Sequence, residues 1–462
     1  MDEREAALDA AHRAAAEFLG SAGSRPVWPT ATVEQLQRVF GGPLPDGGED
    51  AAWLIARLAR DADPGLSAIP GGRFFGFVTG GELPAALAAD WLVSAWDQNA
   101  GPSAAAPAAA AIEQAAGRWV CAMLGLPADA GVGFTTGAQT SNFVCLATAQ
   151  HSLLRASGWD LTQDGLRGAP ALRLVVGADR HGSIDRAARM CGIGRSEMVV
   201  VDSDAEGRML PRALEQALAA EPGVPAIVCL QAGEVHTGAF DPFEQLVPLA
   251  RAHGAWVHID GAFGLWAAAS PALRHLTAGS AGADSWTTDA HKTLNVPYDC
   301  AMAIVRDRAD VQAMFRPGGD YLIRAGWDAW DATPELSRRA RGVPVWAALR
   351  SLGSTGVAEL VERLCARAQR LGAGLRRMAG VTVLNEVGYT QVLFRLADDE
   401  STRALGAAIL AEGTAALTGA QWRGAAVLRC SVSSWATTED DVDQTLAAIE
   451  RLVSAQSAKS NP

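Results

Sequence analysis

Between about residue 115 and residue 306 the chain repeats one rhythm: a short apolar run, a turn of small or polar residues, then a stretch whose apolar positions carry helical spacing. "GVGFTTGAQTSNFVCLATAQHSLL", "LRLVVGADRHGSIDRAARMCG", "AIVCLQAGEVHTGAFDPFEQLVPLARAHG", "AWVHIDGAFG", "SWTTDAHK" and "CAMAIVRD" each supply a candidate strand. Strands that alternate with helices predict a mostly parallel sheet with helices on both faces, an α/β fold. In such sheets ligands bind beyond the carboxyl ends of the strands. That rule singles out Thr136 to Thr140, His181, Gly233 to Thr237, Asp260 and Lys292.

The flanks read differently. The opening "MDEREAALDAAHRAAAEFLG" is a charged, alanine-rich helical pattern, and "IPGGRFFGFVTGGELPAALAADWLVSAWDQNAGPSAAAP" reads as an irregular aromatic segment around a helix. Residues 307–336 read as a loop and 337–376 as helical. A smaller α+β unit follows, with strands at "VTVLN", "QVLFRL" and "AVLRCSVSS" and helices at 401–413 and 439–454.

Composition narrows the class. A chain of 462 residues with 49% hydrophobic and 19% charged content can bury a large core and is not disordered. No apolar run approaches the ~20 residues of a membrane span. The N-terminus lacks the basic and apolar regions of a signal peptide, so a cytoplasmic location is expected. Seven scattered cysteines without a Cys-x-x-Cys pair suggest neither a disulfide framework nor a zinc knuckle. A net charge of −12 disfavours nucleic acid and anionic membranes as partners and leaves a small molecule.

The strand ends carry the chemistry. In "GFTTGAQTSN" a strand enters a helix through small and hydroxyl residues, so a phosphate could rest on Gly137, Ala138, Gln139 and Thr140 at the positive helix end. An ordinary capped turn would read the same way. No G-x-G-x-x-G or lysine-bearing nucleotide loop occurs. In "HIDGAFG" Asp260 sits at a strand tip beside small residues that let a flat ring approach; it could equally cap a turn. His258 shares its strand face, yet no third ligand stands at motif spacing, so no metal is expected. His181 ends a third strand and alone would pass for a structural residue. Lys292, in "WTTDAHKTLNVPYDC", is either a surface lysine or one held in a cleft, where burial lowers its pKa from about 10.4 and frees an amine for Schiff-base chemistry. Together these are the parts that pyridoxal phosphate requires: a phosphate anchor, a partner for the pyridine nitrogen, a stacking group and an amine.

The ordered motifs "RFFGFVTGG", "GFTTGAQTSN", "RHGSIDRAARMCGIG", "TGAFDP", "HIDGAFG", "DAHKTLNVPYDC", "ELSRRARGVPVWAALRSLG" and "VLRCSVSS" resemble the pyridoxal-phosphate group II decarboxylases, which include aromatic-amino-acid, glutamate and diaminobutyrate decarboxylases. The likeness runs from about residue 70 to 450. It implies a fold-type-I enzyme: an N-terminal helical and dimer-contact segment over 1–100, a large cofactor domain over 101–350 with a mostly parallel sheet flanked by helices, and a small α+β domain over 351–462. It implies a homodimer with the site at its interface. By the same likeness Lys292 attaches the cofactor, Asp260 pairs with the pyridine nitrogen, Ala262 lies against one ring face and His181 stacks on the other. Gln139, Thr140 and Asp289 fall near the phosphate, and His291 beside it or the substrate carboxylate. Phe77, Val78 and Thr79 match a substrate pocket.

The implied reaction is release of CO2 from an L-amino acid, aromatic ones among the candidates, leaving an amine. Cα–Cβ cleavage of a β-hydroxy amino acid, decarboxylation coupled to aldehyde formation, and an idle cofactor-fold protein acting as a regulator are the alternatives. Three departures stand out. Glu234 and Val235 replace small hydroxyl residues, and Thr293 replaces a common tryptophan. The loop before "ELSRR", which in the family usually supplies a proton-donating tyrosine, reads "AGWDAWDATPELSRR" with no tyrosine. The nearest is Tyr321.

Overall fold

The structure, a computed structural model, describes residues 2–318 and 326–460. Among them the strands run, in chain order, β1 (Phe74–Phe75), β2 (Gly131–Thr135), β3 (Arg173–Gly177), β4 (Met198–Val201), β5 (Ala226–Gln231), β6 (Trp256–Asp260), β7 (Ser285–Asp289), β8 (Ala301–Val305), β9 (Thr382–Val383), β10 (Gln391–Arg395), β11 (Ala416–Trp422) and β12 (Ala425–Ser431). The chain forms two compact units. One comprises Glu82–Gln369 with Asn385–Val392; the other comprises the residues up to Gly81, Arg370–Leu384 and those from Leu393 onward.

In the first of these the sheet order is β2-β8-β7-β6-β5-β3-β4. Neighbours from β7 to β4 pair in parallel, and β8 runs antiparallel between β2 and β7. Six strand ends therefore point one way. Every residue of β3, β5, β6, β7 and β8 is buried, which is why β3, β5 and β8 read as near-continuous apolar runs rather than as alternating patterns. The helix Ala138–Ala156 lies over the sheet with twelve residues buried. Its Val144, Leu146 and Ala147 share a core with Leu174, Val176, Ile184 and Ile227, where each fully buried large aliphatic side chain contributes about 1.5–3 kcal/mol.

Two segments differ from their sequence reading. Residues 307–336 contain a helix, Arg308–Phe315, begun by Asp307, whose carboxylate accepts from the Ala309 amide at 2.8 Å; one buried valine, Val311, anchors it. The helical stretch predicted over 337–376 starts at Gly342 and is interrupted at Gly353, whose φ of 65° lies in the left-handed region that glycine adopts without strain.

The second unit holds the sheet β1-β11-β12-β10-β9. β1 pairs in parallel with β11, Phe74 opposite Ala416, so the chain up to Gly81 groups with the C-terminal part. This division differs from cuts at residues 100 and 350. β11 escapes the sequence pattern because Thr418, Gly419 and Gln421 break its apolar run; antiparallel pairing with β12 secures it, Trp422 opposite Ala425. The two residues between them, Arg423 and Gly424, both have positive φ, as a tight hairpin turn demands. Among the described residues no helix is long and apolar enough to cross a membrane.

Candidate active site

The register brings chemistry to one sheet edge. Gln231 lies opposite Asp260 and Asp260 opposite Thr287, while Asp289 and Thr135 both lie opposite Ala301. The segments after β2, β7, β6 and β3 thus deliver Gly137 to Thr140, Asp289 to Lys292, Asp260 and His181 to the carboxyl ends of the strands, where α/β sheets bind ligands.

Lys292 Nζ sits 2.8 Å from Asp289 Oδ2. The other oxygen of Asp289 accepts from the Ala138 amide at 2.7 Å and lies 3.5 Å from His291 Nε2. Burial alone would depress the lysine, but the adjacent Asp289 carboxylate outweighs it and raises the amine above its ordinary range. This corrects the expectation that burial frees the amine: the ion pair with Asp289 favours its charged form. Burial likewise pushes Asp289 up, and Lys292 and His291 outweigh it to hold the carboxyl low. Burial lowers His291. Below the lysine the chain turns tightly, with Asn295 donating to the Lys292 carbonyl through its amide at 3.0 Å and its side chain at 3.2 Å.

Asp260 is 6% exposed and accepts at Oδ2 from Asn142 Nδ2 at 2.9 Å and Ser183 Oγ at 3.3 Å, and at Oδ1 from the Ala262 amide at 3.2 Å. Behind it runs a buried relay. Asn142 Oδ1 meets His258 Nε2 at 3.0 Å, His258 Nδ1 meets Ser285 Oγ at 3.0 Å, and Trp256 Nε1 donates to that hydroxyl at 2.9 Å. A carboxylate only accepts, so Asn142 turns its NH2 to Asp260 and its oxygen to His258, which must donate from Nε2 and accept at Nδ1 from Ser285. Burial pushes His258 down to about 4, which keeps it in that neutral form. The pattern of residues contained the signal in part: His258 and Asp260 share one face of β6, but Asn142 and Ser285 come from a helix and a neighbouring strand.

His181 caps the helix Gly182–Met190, its Nδ1 accepting from the Ser183 amide at 3.2 Å and standing 2.8 Å from Ser183 Oγ. Its ring is exposed, and Ser183 links it to Asp260. At the start of the helix Ala138–Ala156, the Thr136 and Thr140 hydroxyls are 2.9 Å apart and Gln139 is half-buried. A Cβ added at Gly137 would meet His291 Cε1 at 3.5 Å, so the loop lies close over the histidine. Ala262 is half-buried, its carbonyl accepting from the Asp289 amide at 2.8 Å. Glu234 turns both oxygens into its own turn, accepting from the His236 and Thr237 amides at 2.7 Å each and standing 2.8 Å from His236 Nδ1. Thr293 donates to the Phe263 carbonyl at 2.8 Å. Phe77, Val78 and Thr79 lie in the other unit, where Arg429 and Ser431 donate to the Phe77 carbonyl. Tyr321 lies outside the described residues.

These groups fit pyridoxal phosphate. An amine after β7, a helix start flanked by hydroxyls after β2, and a buried carboxylate with acceptor capacity left at Oδ1 at the tip of β6 stand along one edge of the sheet. Asp289 already occupies the Ala138 amide, so a phosphate at this helix start would share it with that carboxylate.

The family model described as the pyridoxal-dependent decarboxylase conserved domain matches residues 34–397. The chain is 28% identical over 371 residues to the acidic amino acid decarboxylase GADL1 of Bos taurus, covering 78% of this chain and 70% of that protein. It is 26% identical over 439 residues to the aromatic-L-amino-acid decarboxylase of Bacillus atrophaeus, covering 90% and 88%. The crystal structure of Oryza sativa TDC with PLP and tryptamine superposes with a TM-score of 0.92 at 24% identity, covering 99% of this chain and 98% of that one.

Proposed function

The chain belongs to the pyridoxal-dependent decarboxylase family, has the fold-type-I architecture, and is a pyridoxal-phosphate-dependent amino-acid decarboxylase; from that premise we propose which residues do the work. When bound, pyridoxal phosphate supplies an electron-accepting ring that stabilises the charge left on the carbon that loses CO2. Lys292 holds the cofactor covalently. Its amine must first give up a proton, and the Asp289 carboxylate 2.8 Å away opposes that step by favouring the charged form. Asp260 keeps the ring nitrogen protonated, and Asn142, Ser183 and the Ala262 amide fix the carboxylate that does so. His181 covers one ring face and Ala262 the other. Gly137, Ala138, Gln139 and Thr140 hold the phosphate with Asp289 and His291 beside it. Phe77, Val78, Thr79 and Tyr321 serve the substrate side chain.

The observation that carries this reading is the pairing of Lys292 with Asp289 on the strand next to the one that ends in Asp260. Borohydride reduction of the cofactor-loaded protein followed by peptide mapping should place the pyridoxyl group on Lys292, and Lys292→Ala should abolish the label. A label on another lysine would sink the assignment.

The product we propose is the amine, from an L-amino acid of the aromatic class, with acidic amino acids tested alongside because GADL1 is named for them. We further propose a cytoplasmic homodimer that completes the site at its interface, with neither nucleic acid nor membrane as a partner. One observation favours a second reading, decarboxylation to an aldehyde: residues 325–339 contain no tyrosine.

A further inference from the structure

We propose that Tyr298 is the acid that returns a proton to the substrate carbon after CO2 leaves. The inference rests on the decarboxylase reading and on Lys292 as the attachment point. The chain has three tyrosines. Tyr389 is fully buried and donates its hydroxyl to the Phe263 carbonyl at 3.2 Å, so it is committed to the core. Tyr298 is 57% exposed and its ring stacks on His291, with centroids 4.3 Å apart and planes 28° apart.

The turn after β7 brings it there. Ala290 and His291 both donate their amides to the Cys300 carbonyl, at 3.0 and 3.2 Å. Cys300 returns its own amide to His291 Nδ1 at 3.2 Å, and Val296 donates to the Ala290 carbonyl at 3.1 Å. The chain is thereby folded back on itself, with Tyr298 lying over the residue that precedes Lys292. The phenol is within electrostatic reach of the lysine amine, whose proton affinity its charge would raise.

The step balances without an oxidant. The bond from the α carbon to the carboxylate breaks, CO2 departs, and the electron pair stays on carbon. That pair takes the proton from Tyr298 Oη, and the phenolate recovers one from water. A positioned acid contributes about 10²- to 10⁴-fold to such a transfer.

The test uses the full chain loaded with pyridoxal phosphate. Tyr298→Phe should keep the visible absorption and the reducible label at Lys292, keep CO2 release in the first turnover, and lose amine formation by about 10²- to 10⁴-fold, with aldehyde and ammonia rising in its place as dissolved oxygen accepts the electron pair and is consumed. In the cofactor-free protein the near-ultraviolet phenolate titration, taken as wild type minus variant, isolates Tyr298 and should shift when pyridoxal phosphate is added. An unshifted titration, wild-type amine formation by Tyr298→Phe, or equal loss of CO2 and amine would overturn the proposal. So would finding that Tyr321→Phe, rather than Tyr298→Phe, separates CO2 from amine. Absence of the Lys292 label in the wild type would instead bring down the cofactor assignment, and this step with it.

Discussion

His258 gives the relay behind Asp260 a measurable cost in acid. Its ordinary value is 6.5 and burial pushes it down to about 4. Below pH 6.5 the unfolded chain takes up a proton that the folded protein refuses until about pH 4, so stability is fully present above 6.5 and falls as the pH falls. A gap of about 2.5 units at 1.36 kcal/mol per unit is about 3 kcal/mol. The substitution His258→Gln removes the titration while leaving an amide able to donate to Asn142 Oδ1. At neutral pH it should cost about 1–3 kcal/mol, because a buried partner such as the Ser285 hydroxyl loses its acceptor. Urea unfolding of both proteins, cofactor-free, followed by tryptophan fluorescence at intervals from pH 7 to 4, isolates this residue, since every other titrating group cancels in the difference. The wild type should lose its advantage over the variant by about 3 kcal/mol across that window. Parallel pH dependences would refute the reasoning, for they would mean that His258 carries a proton in the fold or that water reaches it.

Two other substitutions probe the site. Asp260→Asn should leave the pyridoxyl label on Lys292 but lower turnover by about 10²- to 10³-fold, as loss of one fixed electrostatic partner does; near-normal turnover would remove Asp260 from the ring nitrogen. Asp289→Asn deletes the charge that raises Lys292, leaving burial to pull the amine down, so the pH midpoint for covalent cofactor attachment, read from visible absorption, should move lower; an unmoved midpoint would show that the carboxylate does not control the lysine.

How much of this was legible depended on what each pattern encodes. The strands β3, β5 and β8 are buried on both faces, so their apolar runs announce themselves, and in the parallel strands β5, β6 and β7 the polar residue that ends each, Gln231, Asp260 and Asp289, falls at the ligand edge. That is why Asp260, His181 and Lys292 could be named without coordinates. The direction of β8 was not read from the sequence, although the connection from Asp289 to Ala301 holds no helix and so short a link does not return a strand in parallel. By contrast β11 carries Gly419 and two polar residues on its path, and only pairing with β12 makes it a strand.

Side-chain choices resist the sequence for a physical reason, since they depend on which of several neighbours a polar group faces. "DAHK" contains both Asp289 and Lys292, three residues apart, yet whether burial or the ion pair governs the amine depends on the 2.8 Å contact. In the same way, the sequence places His258 on the strand face of Asp260 but does not say that Asn142 and Ser285 take its two nitrogens. The antiparallel return of β8 has the further effect of doubling residues 290–300 back on themselves. A search for a proton donor in the distant loop before Glu335 passes over this turn, although the turn is what sets a phenol against His291. Under the two proposals, the hairpin that carries Lys292 also carries the acid, and both roles would depend on one pairing of β7 with β8.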